Sequence, residues 1–191
     1  MRLQEGASAP LFHVRDLEGR SVALANYYGY PTLIAFYRAA ACPVCCLRLW
    51  HLLRRVTYLY QSTLQVIVLV DSAPAAAQRY LPRFQSAIAL IAERDQGAVD
   101  LAEVYGVRSS LMGAVRTRLK RRQEYSEAKE VGVGAKSWRE QRATFDGDWG
   151  RMPAEFLLWP DLRIAQAHYG TDAGDFLPFT VVDAFVNRFL I

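Results

Sequence analysis

Outside one five-residue stretch this chain has no cysteine: Cys42, Cys45 and Cys46 are the only three in 191 residues. Clustered thiols cannot cross-brace distant parts of a chain, which excludes a disulfide framework. A reducing, cytoplasmic setting is expected, with any disulfide transient and functional. Histidine is as scarce, with His13, His51 and His168 alone. Zinc takes four ligands and a C-x-x-C supplies two, so without a second cysteine pair no metal centre is expected. The opening residues, Met1-Arg2-Leu3-Gln4-Glu5-Gly6, lack the apolar core of a signal peptide. No run approaches the roughly 18 apolar residues of a membrane span; the longest candidates, 64–70 and 87–92, are strand-sized. There is no internal repeat and no low-complexity tract.

What remains is an ordinary globular composition, long enough for one domain over 1–191 with a core that needs no staples. The net charge of +4 is local. Residues 108–150 carry ten Lys and Arg against six Asp and Glu, and the rest of the chain balances. That segment reads as an insertion with a basic helical stretch from Leu111 to about Lys129 and a Gly- and charge-rich tail. Its apolar stripe, Leu111, Met112, Val115 and Leu119, could meet an anionic membrane surface or nucleic acid. It lacks interleaved aromatics, however, and Glu124, Glu127 and Glu130 follow at once. A helix packed on its own domain or on a dimer mate is the expectation, with no nucleic-acid partner.

Strand-like and helix-like runs alternate elsewhere. Residues 11–14 and 21–24 flank a Gly-containing turn and read as a hairpin. Thr32 to Arg38 is an apolar strand. The helical spacing of Leu49, Leu52, Leu53, Val56 and Leu59 follows it, with Arg48, His51 and Arg55 off that face. Residues 65–71 form a strand buried on both faces. A helix runs from Pro74 to about Phe84, a strand from Ala87 to Ala92, and a short helix from Gly97 to Tyr105. Beyond the insertion come strands at 154–159 and 163–168, then a final helix from Pro178. The order gives an α/β sandwich around a central mixed sheet flanked by helices.

Cys42-Pro43-Val44-Cys45 lies where the first long strand feeds its helix. In a helix's first turn, backbone N–H groups and the helix dipole stabilise a thiolate and lower a pKa of about 8.5. Two thiols three residues apart meet on one helical face, and a disulfide can close between them. Cys46 points about 100° away from Cys45 and reads as a packing residue. Arg38, ending the strand beside the thiols, is the residue that would lower a thiolate pKa, and Tyr37 ends the same strand. A C-x-x-C at this junction is the thioredoxin-like plan, and Pro153, just before a late strand, stands where that fold often places a cis-proline facing the thiols. His168 and the Tyr169–Asp175 loop could line a pocket near the thiols, or serve only as a turn.

These residues carry a resemblance. Phe36-Tyr37-Arg38 with Cys42-Pro43-x-Cys45 and Leu49, the block Ala167 to Asp175 with Leu177-Pro178, and the opening Gly6-Ala7-Ser8-Ala9-Pro10 resemble the peroxiredoxin-like branch of the AhpC/TSA family, within the thioredoxin-like superfamily. The likeness spans about 5–107 and 151–189. It implies a thiol-dependent antioxidant oxidoreductase that reduces peroxides through Cys42 and Cys45, with no bound cofactor. Its partners would be a peroxide or disulfide substrate, a thioredoxin- or glutaredoxin-type reductant and, as one assembly, a homodimer. Laid on the peroxiredoxin pattern P-x-x-x-T-x-x-C, Cys45 takes the peroxide-attacking position, while Arg38 and Cys42 replace the Pro and Thr. The family's later Arg falls at Pro153, so Arg38 or Arg151 would have to supply that charge. Laid on thioredoxin, Cys42 attacks and Cys45 resolves. The two orders stay open, as does a non-catalytic thioredoxin-fold binding module that uses 108–150 as its contact surface.

Overall fold

The computed structural model describes residues 2–58, 63–81, 88–95 and 100–190. Two short strands, β1 (His13–Arg15) and β2 (Ser21–Ala23), pair antiparallel with Val14 opposite Val22. Asp16 closes their turn by accepting the Glu18 and Arg20 N–H groups, and Gly19 supplies the left-handed conformation, φ +80°, that the turn requires. A 3-10 turn, Leu24–Tyr27, leads to β3 (Thr32–Tyr37). Then follow α1 (Pro43–Tyr58), β4 (Gln65–Val70), α2 (Pro74–Tyr80), β5 (Ala89–Ala92) and α3 (Leu101–Val104). The basic segment supplies α4 (Leu111–Lys120), α5 (Arg122–Val131) and α6 (Trp138–Thr144). The chain returns through β6 (Ala154–Leu158) and β7 (Ile164–Tyr169) to α7 (Phe179–Val186).

The five longer strands form one mixed sheet in the order β5-β4-β3-β6-β7. β3, β4 and β5 run parallel, whereas β6 is antiparallel to β3 and β7 to β6. β3 is central and buried along its whole length. Its alternation divides the core: Leu33, Ala35 and Tyr37 face α1, and Ile34 and Phe36 face the hairpin and α3. Each such large apolar side chain contributes about 1.5–3 kcal/mol by leaving water. The sheet and its flanking helices have the thioredoxin-like architecture expected from the order of elements.

Two features depart from the sequence reading. The basic stretch is two helices, broken at Arg121 (φ −107°, ψ 32°) although neither Gly nor Pro stands there. Arg121 Nε is drawn to Asp172 at 2.9 Å, while Thr117 Oγ1 accepts the Ala173 N–H, so contacts with the 171–175 loop set the break. The Gly- and charge-rich tail, to which the sequence pattern assigns no element, contains α6, started by Ser137 accepting the Glu140 N–H. The expected helix end at 84, Leu59 of the helical spacing and the expected helix start at 97, together with part of the strand from Ala87, fall outside the described residues. No helix among the described residues is long and apolar enough to cross a membrane.

Arg48, read as off the apolar face of α1, is 6% exposed, and Glu155 in apolar β6 is fully buried. Arg48 meets Glu155 through two N–H···O bonds of 3.0 and 2.8 Å. Tyr37 OH and the Leu177 N–H also donate to Glu155, at 2.7 and 2.8 Å. One buried carboxylate therefore joins α1, β3, β6 and the approach to α7. Breaking a buried pair leaves an uncompensated charge. Arg48→Met should lower unfolding free energy by about 3–5 kcal/mol in urea titrations; a loss below about 1 kcal/mol, the range of exposed pairs, would show that the pair carries no structural weight.

Candidate active site

β3 ends at Tyr37, and the loop 38–42 delivers Cys42 to the residue before α1. The Cys42 carbonyl accepts the Cys46 N–H at 3.0 Å, the first bond of the helix. Pro43 follows at the first helical position, where a missing N–H costs nothing. All three thiols are free and buried. The Cys42 thiol is brought down to about 6. The largest cause is a hydrogen bond from the Cys45 thiol, which outweighs the opposing effect of burial; the Arg38 charge and the Cys45 and Val44 N–H groups add to it. Cys45 is pushed well above its ordinary value by burial and by donating to a charged Cys42. Cys46 is raised by burial and then by the Cys42 charge, and its thiol donates to the Ala40 carbonyl at 2.9 Å.

Arg38 is 3% exposed, and among the described residues no carboxylate pairs with it. Its Nε has no hydrogen-bond partner. The guanidinium instead lies 5.4 Å from the Phe145 ring and 5.8 Å from the Trp149 ring, which stack on each other at 3.9 Å. From α5, Tyr125 packs against the cluster that holds Cys42 and Cys45, and burial, followed by the Cys42 charge, raises its phenol to about 12. Sequence reasoning missed Tyr125, Phe145, Trp149 and Glu155. The only local signals were a glutamate inside an apolar strand and two aromatics in a charged tail.

The other candidates lie in different surroundings. Tyr37 is buried with its hydroxyl on Glu155. Arg151 is ion-paired to Glu93, with Asp100 and Asp71 at 3.7 and 3.9 Å. His168 Nε2 lies 3.1 Å from Asp175 Oδ1. The peptide before Pro153 is trans, not the cis form that the thioredoxin comparison suggests. Pro153 lines a cavity of about 260 Å³ with Arg108, Met152, Tyr169 and Thr171, and no cysteine borders it. His13 is held by Ser21 and His51 by Glu127, and among the described residues no cluster of His, Cys, Asp or Glu is arranged to hold a metal.

Comparison with known proteins adds a family match and a fold. The pattern of the AhpC/TSA family matches residues 6–133, reaching through α5 of the insertion. No curated protein matches. Among solved structures, the peroxidoxin BcpB from Mycobacterium tuberculosis aligns at TM-score 0.61 and 12% identity, covering 100% of both chains. The thiol peroxidase from Chromobacterium violaceum aligns at TM-score 0.55 and 15% identity over 98% of this chain and 88% of that one. An exposed lipoprotein thioredoxin of Streptococcus pneumoniae aligns at TM-score 0.57 and 13% identity over 94% and 99%. At these identities the structures establish the shared fold.

The asymmetry between the thiols has a pH signature. A depressed pKa means that Cys42 contributes stability fully above the unfolded value of about 8.5 and loses it as pH falls through about 6. Alkylation of Cys42 by iodoacetamide, mapped by mass, should rise with pH around a midpoint near 6. Cys45→Ala removes the largest stabilising hydrogen bond and should move that midpoint up by about one pH unit or more. An unmoved midpoint would show that Cys45 does not donate to Cys42.

Proposed function

This chain belongs to the AhpC/TSA family and is an oxidoreductase of thioredoxin-like fold; from that premise we propose that it reduces hydroperoxides through Cys42 as attacking thiolate and Cys45 as resolving thiol. The observation that carries the reading is the asymmetry of the two thiols: the Cys45 hydrogen bond and then the buried Arg38 charge favour the thiolate on Cys42, while Cys45 stays protonated beside it. This reverses the order implied by laying Cys45 on the peroxiredoxin pattern.

The chemistry balances with an external dithiol. Cys42 thiolate attacks one peroxide oxygen and the O–O bond breaks. Cys42 becomes a sulfenic acid, and the alkoxide or hydroxide leaves and takes a proton from solvent. The Cys45 thiol then displaces the sulfenic oxygen as water, giving the Cys42–Cys45 disulfide. A thioredoxin- or glutaredoxin-type dithiol returns two electrons and two protons by exchange. Exchange with a small disulfide would use the same first attacker, so the substrate is a separate measurement from the order of attack.

Reduced wild type, Cys42→Ser and Cys45→Ser are each mixed with hydrogen peroxide or with a small disulfide, and thiols and mass are followed. Wild type should form an intramolecular disulfide, Cys45→Ser should stop at a Cys42 sulfenic acid, and Cys42→Ser should react at least about a hundredfold more slowly, a loss of about 2.7 kcal/mol in barrier lowering. Rapid oxidation of Cys45 in Cys42→Ser would overturn the assignment. Reaction with the disulfide but not with peroxide would replace the substrate and keep the order.

A further inference from the structure

The insertion that brings aromatic rings to Arg38 also shuts the site. Gly134, at φ +71°, lies so close to α1 that an added Cβ would come within 2.7 Å of the Pro43 Cα. Its neighbour Ala135 donates its N–H to the Ala41 carbonyl at 3.3 Å. Gly147 presses on the other side of the same loop, where a Cβ would stand 2.3 Å from the Asp71 carbonyl oxygen and 3.1 Å from the Ala39 Cβ. Between these two contacts Asp146 acts as a latch. Its carboxylate accepts from Ser72 Oγ and from the Ala73 N–H, both at 2.7 Å, and Ser72 Oγ accepts the Ala40 N–H at 2.9 Å. Phe145 and Trp149 flank the latch and stack over the Arg38 guanidinium. Beneath this strap Cys42 and Cys46 are 0% exposed and Cys45 is 3% exposed.

A sulfur without accessible surface reacts only with molecules that the surrounding side chains admit. The Asp146 carboxylate and the two close glycine contacts pin the strap at several points along its length, so it yields as a unit. The two rings are only half-buried, so moving them sacrifices less burial than moving a core ring. We propose that Phe145 and Trp149 are specificity-determining residues, forming a roof that selects the size of the reagent reaching Cys42. Small oxidants reach the sulfur through slight displacements of the rings while the strap stays in place. Bulky hydroperoxides and the protein dithiol that reduces the Cys42–Cys45 disulfide react only after the strap lifts. The proposal rests on Cys42 as the reacting thiolate, and it assigns to the tail of the insertion a role that the thiols and Arg38 cannot fill.

The test compares reagents of different size on one thiol. Cys42 is alkylated with iodoacetamide and with a fluorescein maleimide, in wild type, Phe145→Ala, Trp149→Ala, Trp149→Phe and Asp146→Ala. Every rate is normalised to the same reagent acting on the urea-unfolded protein. Hydrogen peroxide and cumene hydroperoxide form a second pair of reagents. Wild type should favour the small reagent in both pairs. Phe145→Ala and Trp149→Ala should reduce that preference by about tenfold or more, equivalent to about 1.4 kcal/mol, and Trp149→Phe should largely restore it. Asp146→Ala leaves both rings in place, loosens only the latch and should act in the same direction. Folding is followed by circular dichroism. A variant that merely unfolds would react with both reagents at the unfolded rates and lose protection for each, whereas a lifted roof changes the ratio in a folded protein. Unchanged ratios in folded Trp149→Ala and Asp146→Ala would overturn the proposal. The alkylation pair needs no peroxidase activity, so an inert response to peroxide with a shifted alkylation ratio would refute the peroxide reading and leave the roof standing.

Discussion

Arg38 is taken out of water with no carboxylate among the described residues to meet it. Desolvating an ion costs several kcal/mol unless an opposite charge and hydrogen bonds repay it. Two aromatic faces lie over Arg38, giving a cation–π attraction of about 2 kcal/mol when desolvated, and its charge acts on the Cys42 and Cys45 thiols and the Tyr125 phenol. An ionised Cys42 offsets the buried Arg38 charge, and the Arg38 charge in turn favours the Cys42 thiolate. The loop 38–42, the start of α1 and the strap above them are arranged around that exchange. A neutral residue at 38 would leave the N–H groups of Val44 and Cys45 and the Cys45 thiol to hold the thiolate alone.

A second buried ion pair gives that exchange a fixed floor. Glu155 receives four donors from Arg48, Tyr37 and the Leu177 backbone, which ties the second turn of α1 to the centre of the sheet. With α1 unable to slide, its first turn keeps the Cys42 sulfur facing its donors. α5 adds a lateral tie through His51 and Glu127 at 2.9 Å. The basic segment is thus built into the thiol site of its own chain through its inner surface. Its outer face keeps Leu111, Met112 and Val115 exposed.

The parts that could be read in the sequence are those set by local pattern. β3 announces itself as a largely apolar run and β4 as a run rich in β-branched residues, and α1 by the spacing of Leu49, Leu52, Leu53 and Val56. The placement of the thiols between β3 and α1 follows from those two elements. What stayed hidden depends on contacts across long stretches of chain. Glu155 and Arg48 are separated by 107 residues, and nothing local to either names the other. The break at Arg121 carries no Gly or Pro because Asp172 causes it. Pro153 stands before a strand as expected, yet its peptide is trans, since chemistry at a proline allows both isomers and packing selects one. Spacing alone left the order of attack between Cys42 and Cys45 open, because it depends on where N–H and S–H donors point. Phe145 and Trp149 stand in a polar tail with no local pattern, and only the fold sets them on Arg38.

The buried Arg38 charge joins the Cys45 hydrogen bond in making Cys42 the reactive thiolate. Titration of thiolate absorbance in the ultraviolet tests it most directly, on wild type and Arg38→Met, with Cys42→Ser subtracted from the wild-type trace and Cys42→Ser/Arg38→Met from that of Arg38→Met. The wild-type midpoint should lie near 6 and rise by about 1–3 pH units when the guanidinium is removed. A midpoint that stays in place in a folded Arg38→Met protein, or an ionisation that survives Cys42→Ser, would contradict it.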